Sequence, residues 1–178
     1  EMRSTKLTSE LREILVERDD IIEDRFDHLI KDANFIDISE PMDRDGLFKL
    51  LAHHWSERYD ISSETLLDLL QARENESTTV IQEGLAIPHV VVDGKNHFDI
   101  EVVRSLDGVD FGPETGKVHI IFALIGSKDE RNFHLQCLMA IAQIVKSNNF
   151  LKNWHKAHNA DDLRNLILLA ERIRKAAV

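Results

Sequence analysis

Three residues of this sequence, His89, His134 and Arg73, have side chains that could accept and bind an anionic group. His89 follows the apolar run 85–87 and Pro88 directly. Because proline fixes its own φ and pushes the preceding residue toward extended geometry, we expect the imidazole at the end of a strand-like segment. A neutral imidazole there is a competent nucleophile. On these residues alone, the pattern favours an incidental histidine at a strand end, and the positions of Arg73 and His134 are what raise the functional interpretation.

His134 and Arg73 are expected at two helix ends. His134 opens an apolar segment that predicts a helix over about 133–147, capped by Asn132. The first turn of a helix has unpaired N–H groups and a positive dipole end, which favour an anion such as phosphate. Arg73 closes a predicted helix over about 63–73, and its guanidinium offers a fork of donors for phosphate oxygens.

The composition is that of an ordinary globular protein of 178 residues, one domain or one domain with an appendage. Its net charge of −10 argues against a nucleic-acid surface and suits a basic protein partner. Cys137 is the one cysteine; its apolar neighbours indicate a core position, and it excludes a disulfide framework. The sequence shows no signal peptide and no apolar run of membrane-spanning length, so we expect a cytoplasmic protein.

The N-terminal segment is more highly charged than the rest. Apolar residues at helical spacing over 7–31 predict one amphipathic helix, either a connector from a longer chain or a helix packed on the domain. We therefore divide the chain into an N-terminal helix or linker, 1–31, and a domain, 32–178.

The remaining patterns predict helices, then strands, then helices. The run 118–125 is almost wholly apolar, as in a central strand buried on both faces, and Asp93-Gly94 predicts a hairpin turn. His53 and His54 are adjacent in a predicted helix, which does not make a two-histidine metal face, and we expect both at the surface. The predicted class is mixed α/β: a central mixed β-sheet sandwiched by helices, with an extra N-terminal amphipathic helix. The other predicted elements are helices over 44–59, about 149–157 and from an Asn159 cap, and strands over 78–81, 85–87 and 100–104.

Several stretches together resemble a known family. Thr-Thr-Val-Ile-Gln-Glu-Gly-Leu-Ala-Ile-Pro-His at 78–89 follows Ala-Arg-Glu at 72–74, and Phe-Ala-Leu-Ile-Gly at 122–126 precedes His-Leu-Gln-Cys-Leu at 134–138. This combination resembles the enzyme IIA domain of the fructose/mannitol type from the bacterial phosphoenolpyruvate-dependent phosphotransferase system, nitrogen-regulatory relatives included. The likeness covers roughly 32–175.

The resemblance implies roles for four residues. His89 matches the histidine that accepts a phosphoryl group from the phosphohistidine of the carrier HPr, and His134 matches the second active-site histidine. Arg73 matches an arginine beside the site, and Glu83 falls where many members have a polar side chain that could help to stabilise the phosphoryl group. No cofactor or metal is implied.

Two residues depart from the family pattern, and we expect both beside the reacting group. Gln82 replaces a frequent glycine, and Val90 replaces a small residue.

Three functions are weighed. The first is a phosphoryl-transfer domain that takes phosphate from HPr and passes it to a separate IIB domain. The second is a regulatory, phosphorylation-sensing domain at the cytoplasmic end of a membrane transporter, with the N-terminal helix as connector or as a homodimer contact. The third, a histidine-dependent hydrolase or metalloenzyme, is disfavoured because the sequence has no nucleophile elbow, no His-Glu-x-x-His helix and no close carboxylate pair.

Overall fold

The computed structural model describes residues 2–17 and 22–174, and the chain separates into two compact units. The sheet unit is Asn34–Arg131, and the helical unit combines Glu1–Ala33 with Asn132–Val178. The mixed α/β class predicted from the sequence is confirmed. The helices are α1 (Met2–Glu17), α2 (Arg25–Asp32), α3 (Arg44–Arg58), α4 (Ser63–Glu76), α5 (Arg131–Val145), α6 (Phe150–Lys156) and α7 (Ala160–Leu169). The strands are β1 (Asn34–Ile38), β2 (Met42–Asp43), β3 (Val80–Gln82), β4 (Leu85–Ala86), β5 (His89–Val92), β6 (Phe98–Asp110) and β7 (Lys117–Ser127).

The sheet is mixed and has the strand order β1-β6-β7-β4-β3. β6 and β7 form its long antiparallel centre, β1 and β2 run parallel to β6, and β4 and β5 run parallel to β7. β3 is antiparallel to β4 at the edge. The apolar run of β7 is buried from Ile120 to Ile125, so the predicted central strand is confirmed.

Helices α3 and α4 pack on one face of this sheet. Alternate residues of β5, Val90 and Val92, join the same buried cluster, because side chains of a strand alternate between its two faces. This packing places the C-terminal end of α4 beside β5. The helical side of the cluster consists of Leu47, Phe48, Leu51, Ala52, Trp55, Leu66 and Leu70.

The predicted hairpin at Asp93-Gly94 is wrong. The chain does turn there, and Gly94 adopts a φ of 111°. However, β5 pairs in parallel with β7, and β6 pairs with the opposite side of β7. The antiparallel hairpin is instead formed by β6 and β7, because pairing is decided by the whole sheet and not by turn residues alone.

The predicted single helix over 7–31 is also wrong, because α1 and α2 are separate helices. Asp24 is extended (φ −103°, ψ −178°), and its carboxylate accepts the backbone N–H of Asp27, whose carboxylate accepts the N–H of Asp24 in return. This reciprocal capping box starts a new helix at Arg25. Residues 18–21 lie outside the described part of the chain.

Arginines from the end of the described chain hold α2 in the helical unit. Arg172 donates to both carboxylate oxygens of Asp24, at 2.6 and 2.7 Å. Arg174 Nε donates to Asp27 at 2.7 Å, and Asp27 is 1% exposed. Burial alone would raise the pKa of Asp24, but the hydrogen bonds and charge of Arg172 outweigh it and hold the pKa below its ordinary value.

Two helix caps are confirmed and one is wrong. Ser62 Oγ accepts the N–H of Thr65, and Asn159 Oδ1 accepts the N–H of Asp162. Asn132 is not a cap: a 3₁₀ turn, Lys128–Glu130, runs directly into α5, whose first residue is Arg131.

The expectation that both adjacent histidines lie at the surface fails for His54. His53 is exposed, whereas the side chain of His54 is 29% exposed. Its Nδ1 lies 3.2 Å from Asn34 Nδ2 and 3.7 Å from Glu101 Oε2.

Candidate functional site

The strand that leads to His89 is interrupted at Ile87-Pro88 without losing its register. Leu85 pairs with Ile120 and His89 with Leu124, so β4 and β5 follow one line along β7. Pro88 has no N–H to give to a ladder, but its carbonyl still accepts the N–H of Leu124 at 2.9 Å. The sequence Ile-Pro-His therefore fixes where β5 begins and puts the histidine at its first position.

Two hydrogen bonds fix the tautomer of His89. Nδ1 lies 3.0 Å from the carbonyl oxygen of Ile87, which can only accept, so Nδ1 carries the proton. Arg73 Nε donates to Nε2 at 3.0 Å, so Nε2 holds the lone pair. Both contacts are satisfied by one species, the neutral imidazole protonated on Nδ1.

The surroundings of this ring favour its neutral form. Burial lowers the pKa of His89 below its ordinary value of 6.5, and the positive charge of Arg73 lowers it further. The Ile87 carbonyl and the charges of Glu74 and Glu76 oppose this shift but do not cancel it. Near neutral pH the lone pair of Nε2 is therefore present, as a nucleophile requires.

Arg73 is held at the last turn of α4 by the residue that ends the helix. Its Nη1 donates to the carbonyl oxygen of Ser77 at 2.9 Å and lies 3.3 Å from Ser77 Oγ. The guanidinium thus donates through Nη1 to the residue that ends α4 and through Nε to the imidazole of His89. Arg73 and His89 are therefore in direct contact, while the phosphate-stabilising role predicted for Arg73 stays a prediction.

Glu74 supports this corner of the site and was missed by the sequence analysis. Glu74 is 7% exposed, and its carboxylate accepts the hydroxyl of Thr78 at 2.9 Å, the N–H of Thr79 at 3.1 Å and the hydroxyl of Thr79 at 2.5 Å. These bonds tie the end of α4 to the start of β3. A glutamate followed four and five residues later by two threonines was the available signal.

Glu83 lies away from the reacting nitrogen. It is an exposed residue of the turn between β3 and β4, before Leu85. Leu85 and His89 are four residues apart along one strand line, about 13 Å at the usual rise per residue. The predicted role of Glu83 in stabilising a phosphoryl group on His89 stays a prediction.

His134 is half-buried in the first turn of α5, in the helical unit. It therefore occupies the predicted position at a helix N-terminus, where N–H groups and the dipole favour an anion. Its partnership with His89 stays a prediction.

Of the two departures from the family pattern, Val90 was placed wrongly beside the reacting group. Val90 is 5% exposed and belongs to the cluster under α3 and α4, on the face of β5 opposite to that of His89. Gln82 is exposed on β3 and pairs with Leu85.

A mixed-sheet protein with a neutral, tautomer-fixed histidine beside an arginine has the parts of a histidine phosphoryl carrier. Residues 29–169 match the family described as "Phosphoenolpyruvate-dependent sugar phosphotransferase system, EIIA 2", and the chain belongs to that family. Its class is therefore that of the phosphotransfer proteins. No helix within residues 2–17 and 22–174 is both long and apolar enough to cross a membrane.

Several known proteins are similar to this chain in sequence or in fold. The chain is 30% identical over 96 residues to the fructose-specific EIIABC component of Bacillus subtilis, a match over 53% of this chain and 15% of that protein. It thus spans well under two thirds of that relative. The crystal structure of nitrogen regulatory protein IIA-Ntr from Neisseria meningitidis has a TM-score of 0.70 at 20% identity, over 81% of this chain and 99% of that one. Enzyme IIA of the mannitol system of Escherichia coli, in complex with phosphorylated IIB, has a TM-score of 0.61 at 13% identity, over 75% and 93%.

Proposed function

We propose that Nε2 of His89 accepts a phosphoryl group from the phosphohistidine of an HPr-like carrier and passes it to a IIB domain, separate or fused. The supporting observation is the pair of hydrogen bonds that puts the proton on Nδ1 and the lone pair on Nε2. The phosphorus–nitrogen bond of the carrier breaks as a phosphorus–nitrogen bond to Nε2 forms. The Nδ1 proton stays in place, bonded to Ile87.

Arg73 changes partners during this step. In the present geometry the Nε–H of Arg73 donates a hydrogen bond to the lone pair of His89 Nε2. This hydrogen bond must break as the phosphoryl group binds to Nε2. The Ser77 carbonyl keeps the other edge of the guanidinium nearby. Its donors can then bind phosphoryl oxygens, which a planar fork does well. Arg73 is thus a catalytic residue in this proposal, because it touches the reacting nitrogen.

The remaining assignments rest on family membership. His134 is proposed as the second histidine, which orients or stabilises the phosphoryl group, and Glu83 as an accessory polar residue. The B. subtilis relative is named as a fusion of A, B and C components, and the E. coli mannitol structure pairs IIA with phosphorylated IIB. These names support a IIB partner for this chain, and the place in the cytoplasm is proposed from family membership alone. A regulatory use at the end of a transporter would employ the same phosphorylated His89.

The proposal is tested with phosphoenolpyruvate, enzyme I and HPr. Intact mass should show one acid-labile phosphoryl adduct on the wild-type chain and none on His89→Gln. His119→Gln is the matched control, because His119 is a half-buried sheet histidine bonded to the Ser105 carbonyl. Equal labelling of His89→Gln would refute the assignment. Labelled chain that gives no phosphate to any IIB domain would favour the regulatory use over onward transfer.

A further inference from the structure

The two hydrogen bonds that fix the ring of His89 come from separate parts of the sheet unit. The carbonyl oxygen of Ile87, on the strand line before the ring, lies 3.0 Å from Nδ1. Nε of Arg73, in the last turn of α4, donates to Nε2 at 3.0 Å. The ring keeps one tautomer only while this strand and this helix end keep a fixed position relative to each other.

A continuous path of hydrogen bonds runs from the Glu74 carboxylate to the ring on the strand side. The carboxylate accepts the N–H of Thr79 at 3.1 Å. The carbonyl oxygen of Thr79 accepts the N–H of Ile87 at 2.9 Å, and the carbonyl of Ile87 then faces His89 Nδ1. Because Thr79 and Ile87 are each 3% exposed, a backbone group that lost its partner here would be left buried and unpaired, which is costly.

On the helix side, Glu74 directly follows Arg73 and binds the segment that leaves α4. Nη1 of Arg73 donates to the carbonyl oxygen of Ser77 at 2.9 Å. The Glu74 carboxylate accepts the hydroxyl of Thr78 at 2.9 Å. Glu74 thus fixes the backbone around Ser77, and this backbone supports the guanidinium of Arg73.

The charge of Glu74 does not suit a direct part in phosphoryl transfer. A carboxylate repels the phosphoryl oxygens that the proposed function brings to Nε2 of His89. Its three donors, two hydroxyls and one N–H, belong to Thr78 and Thr79, between α4 and β3. The contribution of Glu74 to the site therefore lies in where it holds the neighbouring groups.

We propose that Glu74 is a positioning residue for His89. It fixes the Ile87 carbonyl through Thr79 and the Arg73 guanidinium through the end of α4, and so keeps both ring nitrogens in their hydrogen bonds. This inference deepens the proposed function and rests on it for the rate of phosphoryl transfer. The protonation of the ring is measured without any phosphoryl donor, so the two proposals can fail separately.

The first experiment observes the ring nitrogens of His89 by NMR in the full chain, at a pH above the ordinary histidine pKa of 6.5. The wild type should show the proton on Nδ1 alone. Glu74→Ala should move both nitrogen signals toward those of a mixture of the two neutral tautomers, because the Ile87 carbonyl and the guanidinium lose their fixed positions. Glu74→Gln keeps one acceptor oxygen and should give signals between those of the wild type and Glu74→Ala.

Two controls separate positioning from charge and from stability. Glu76→Ala removes an exposed charge that acts on the pKa of His89 in the same direction as the charge of Glu74. Asp24→Asn removes a buried ion pair of the helical unit and should lower stability by a similar amount. Both variants should keep the wild-type tautomer of His89, because neither residue belongs to the path that ends at Ile87. Far-UV circular dichroism at the NMR temperature checks that every variant is folded.

The second experiment separates the transfer step from docking of the carrier. In single-turnover reactions with phospho-HPr, Glu74→Ala should lower the maximal rate of His89 phosphorylation at least about tenfold, because a small displacement of a reacting group is costly. The phospho-HPr concentration that gives half of the maximal rate should stay within about twofold of the wild-type value, because Glu74 is buried. Glu74→Gln should recover part of the lost rate.

An unchanged His89 tautomer in Glu74→Ala would overturn the proposal, as would an equal change in Glu76→Ala or Asp24→Asn. A maximal rate equal to that of an active wild type would also overturn it. A wild-type chain that phospho-HPr does not phosphorylate would refute the proposed function, and the NMR comparison would then still decide whether Glu74 positions the ring.

Discussion

Replacing Glu74 with alanine should destabilise the protein more than any change at an exposed carboxylate of the same helix. Glu74 is 7% exposed, and its carboxylate accepts hydrogen bonds from three donors, the hydroxyls of Thr78 and Thr79 and the N–H of Thr79. Thr79 itself is 3% exposed. Removal of the carboxylate therefore leaves its N–H and hydroxyl buried without their acceptor.

The expected magnitude follows from these contacts. Hydrogen bonds to a charged acceptor contribute about 1.5–3 kcal/mol each, and a stranded buried donor costs about 1–3 kcal/mol. Because such effects do not add, we expect Glu74→Ala to lower the free energy of unfolding by about 3–4 kcal/mol. For a chain of this size that corresponds to a fall in Tm of about 10 °C. Glu74→Gln keeps one acceptor oxygen and should cost about half as much.

Urea unfolding followed by tryptophan fluorescence measures the effect. Glu76→Ala is the control, because Glu76 is exposed near the end of α4. Pairing Glu74→Ala with Thr79→Val completes a double-mutant cycle whose coupling energy should exceed about 1 kcal/mol. If Glu74→Ala unfolds within 1 kcal/mol of the control, the carboxylate does not hold the end of α4 to β3.

Three further predictions concern protonation and charge. The pKa of His89 in the folded protein should lie below its ordinary value of 6.5, and NMR should show the Nδ1-protonated tautomer. Because the unfolded chain binds a proton at His89 at a higher pH than the folded chain, the contribution of His89 to stability is complete above pH 6.5 and is lost as pH falls through the folded pKa. A midpoint above 6.5 would contradict the burial argument. Arg73→Met should raise the pKa of His89 and slow phosphorylation roughly a hundredfold in single-turnover assays, since one charge-stabilising donor is removed; wild-type kinetics would exclude Arg73 from the site. Asp24→Asn should destabilise the helical unit by about 3 kcal/mol, because it leaves the buried charge of Arg172 without its bidentate partner. Because the pKa of Asp24 is lower in the folded protein, the stabilisation by its ionised carboxylate is complete above the unfolded pKa and is lost as pH falls through the folded pKa. A denaturation series from pH 7 to pH 2 should therefore show the variant losing less stability than the wild type.

The parts of the fold that depend on local pattern were predictable from the sequence. The unbroken apolar run of β7 indicated a strand with neighbours on both sides, and Ser62 and Asn159 indicated caps that the backbone uses. The break in the strand before His89 was also predictable from the sequence, because proline restricts its own φ and the backbone conformation of the preceding residue.

The wrong predictions concern features that depend on residues far apart in the sequence. Asp93-Gly94 indicated a turn correctly but not the strand with which β5 pairs, since that partner lies more than thirty residues further along. The apolar spacing of 7–31 continued through the segment before Asp24, and an aspartate in place of the usual glutamate at the third helical position concealed the capping box. The exposure of Leu7 and Leu11 on α1, 67% and 51%, was not predictable either, because periodicity identifies an apolar face and not what that face contacts.

For the candidate site as well, local features were easier to predict from the sequence than non-local ones. Arg73 and His89 are close in sequence and lie on adjoining elements, so the fold brings them into contact, while their functional roles stay predictions. Glu74 was missed because a charged residue near a helix end is ordinarily exposed. Val90 was judged by nearness in sequence, although successive residues of a strand point to opposite faces of the sheet.

The pairing of Asp24 and Asp27 with Arg172 and Arg174 has a consequence for the order in which the chain acquires its structure during synthesis. The sheet unit is one uninterrupted stretch, so all of its strands are available once residue 131 has left the ribosome. The helical unit draws on both sides of that stretch, and Asp27 is buried against arginines made nearly 150 residues later. Until those arginines emerge, the first helices carry carboxylates that cannot yet be buried. The nascent chain should therefore complete the strands that bear His89 first and close the helical unit last.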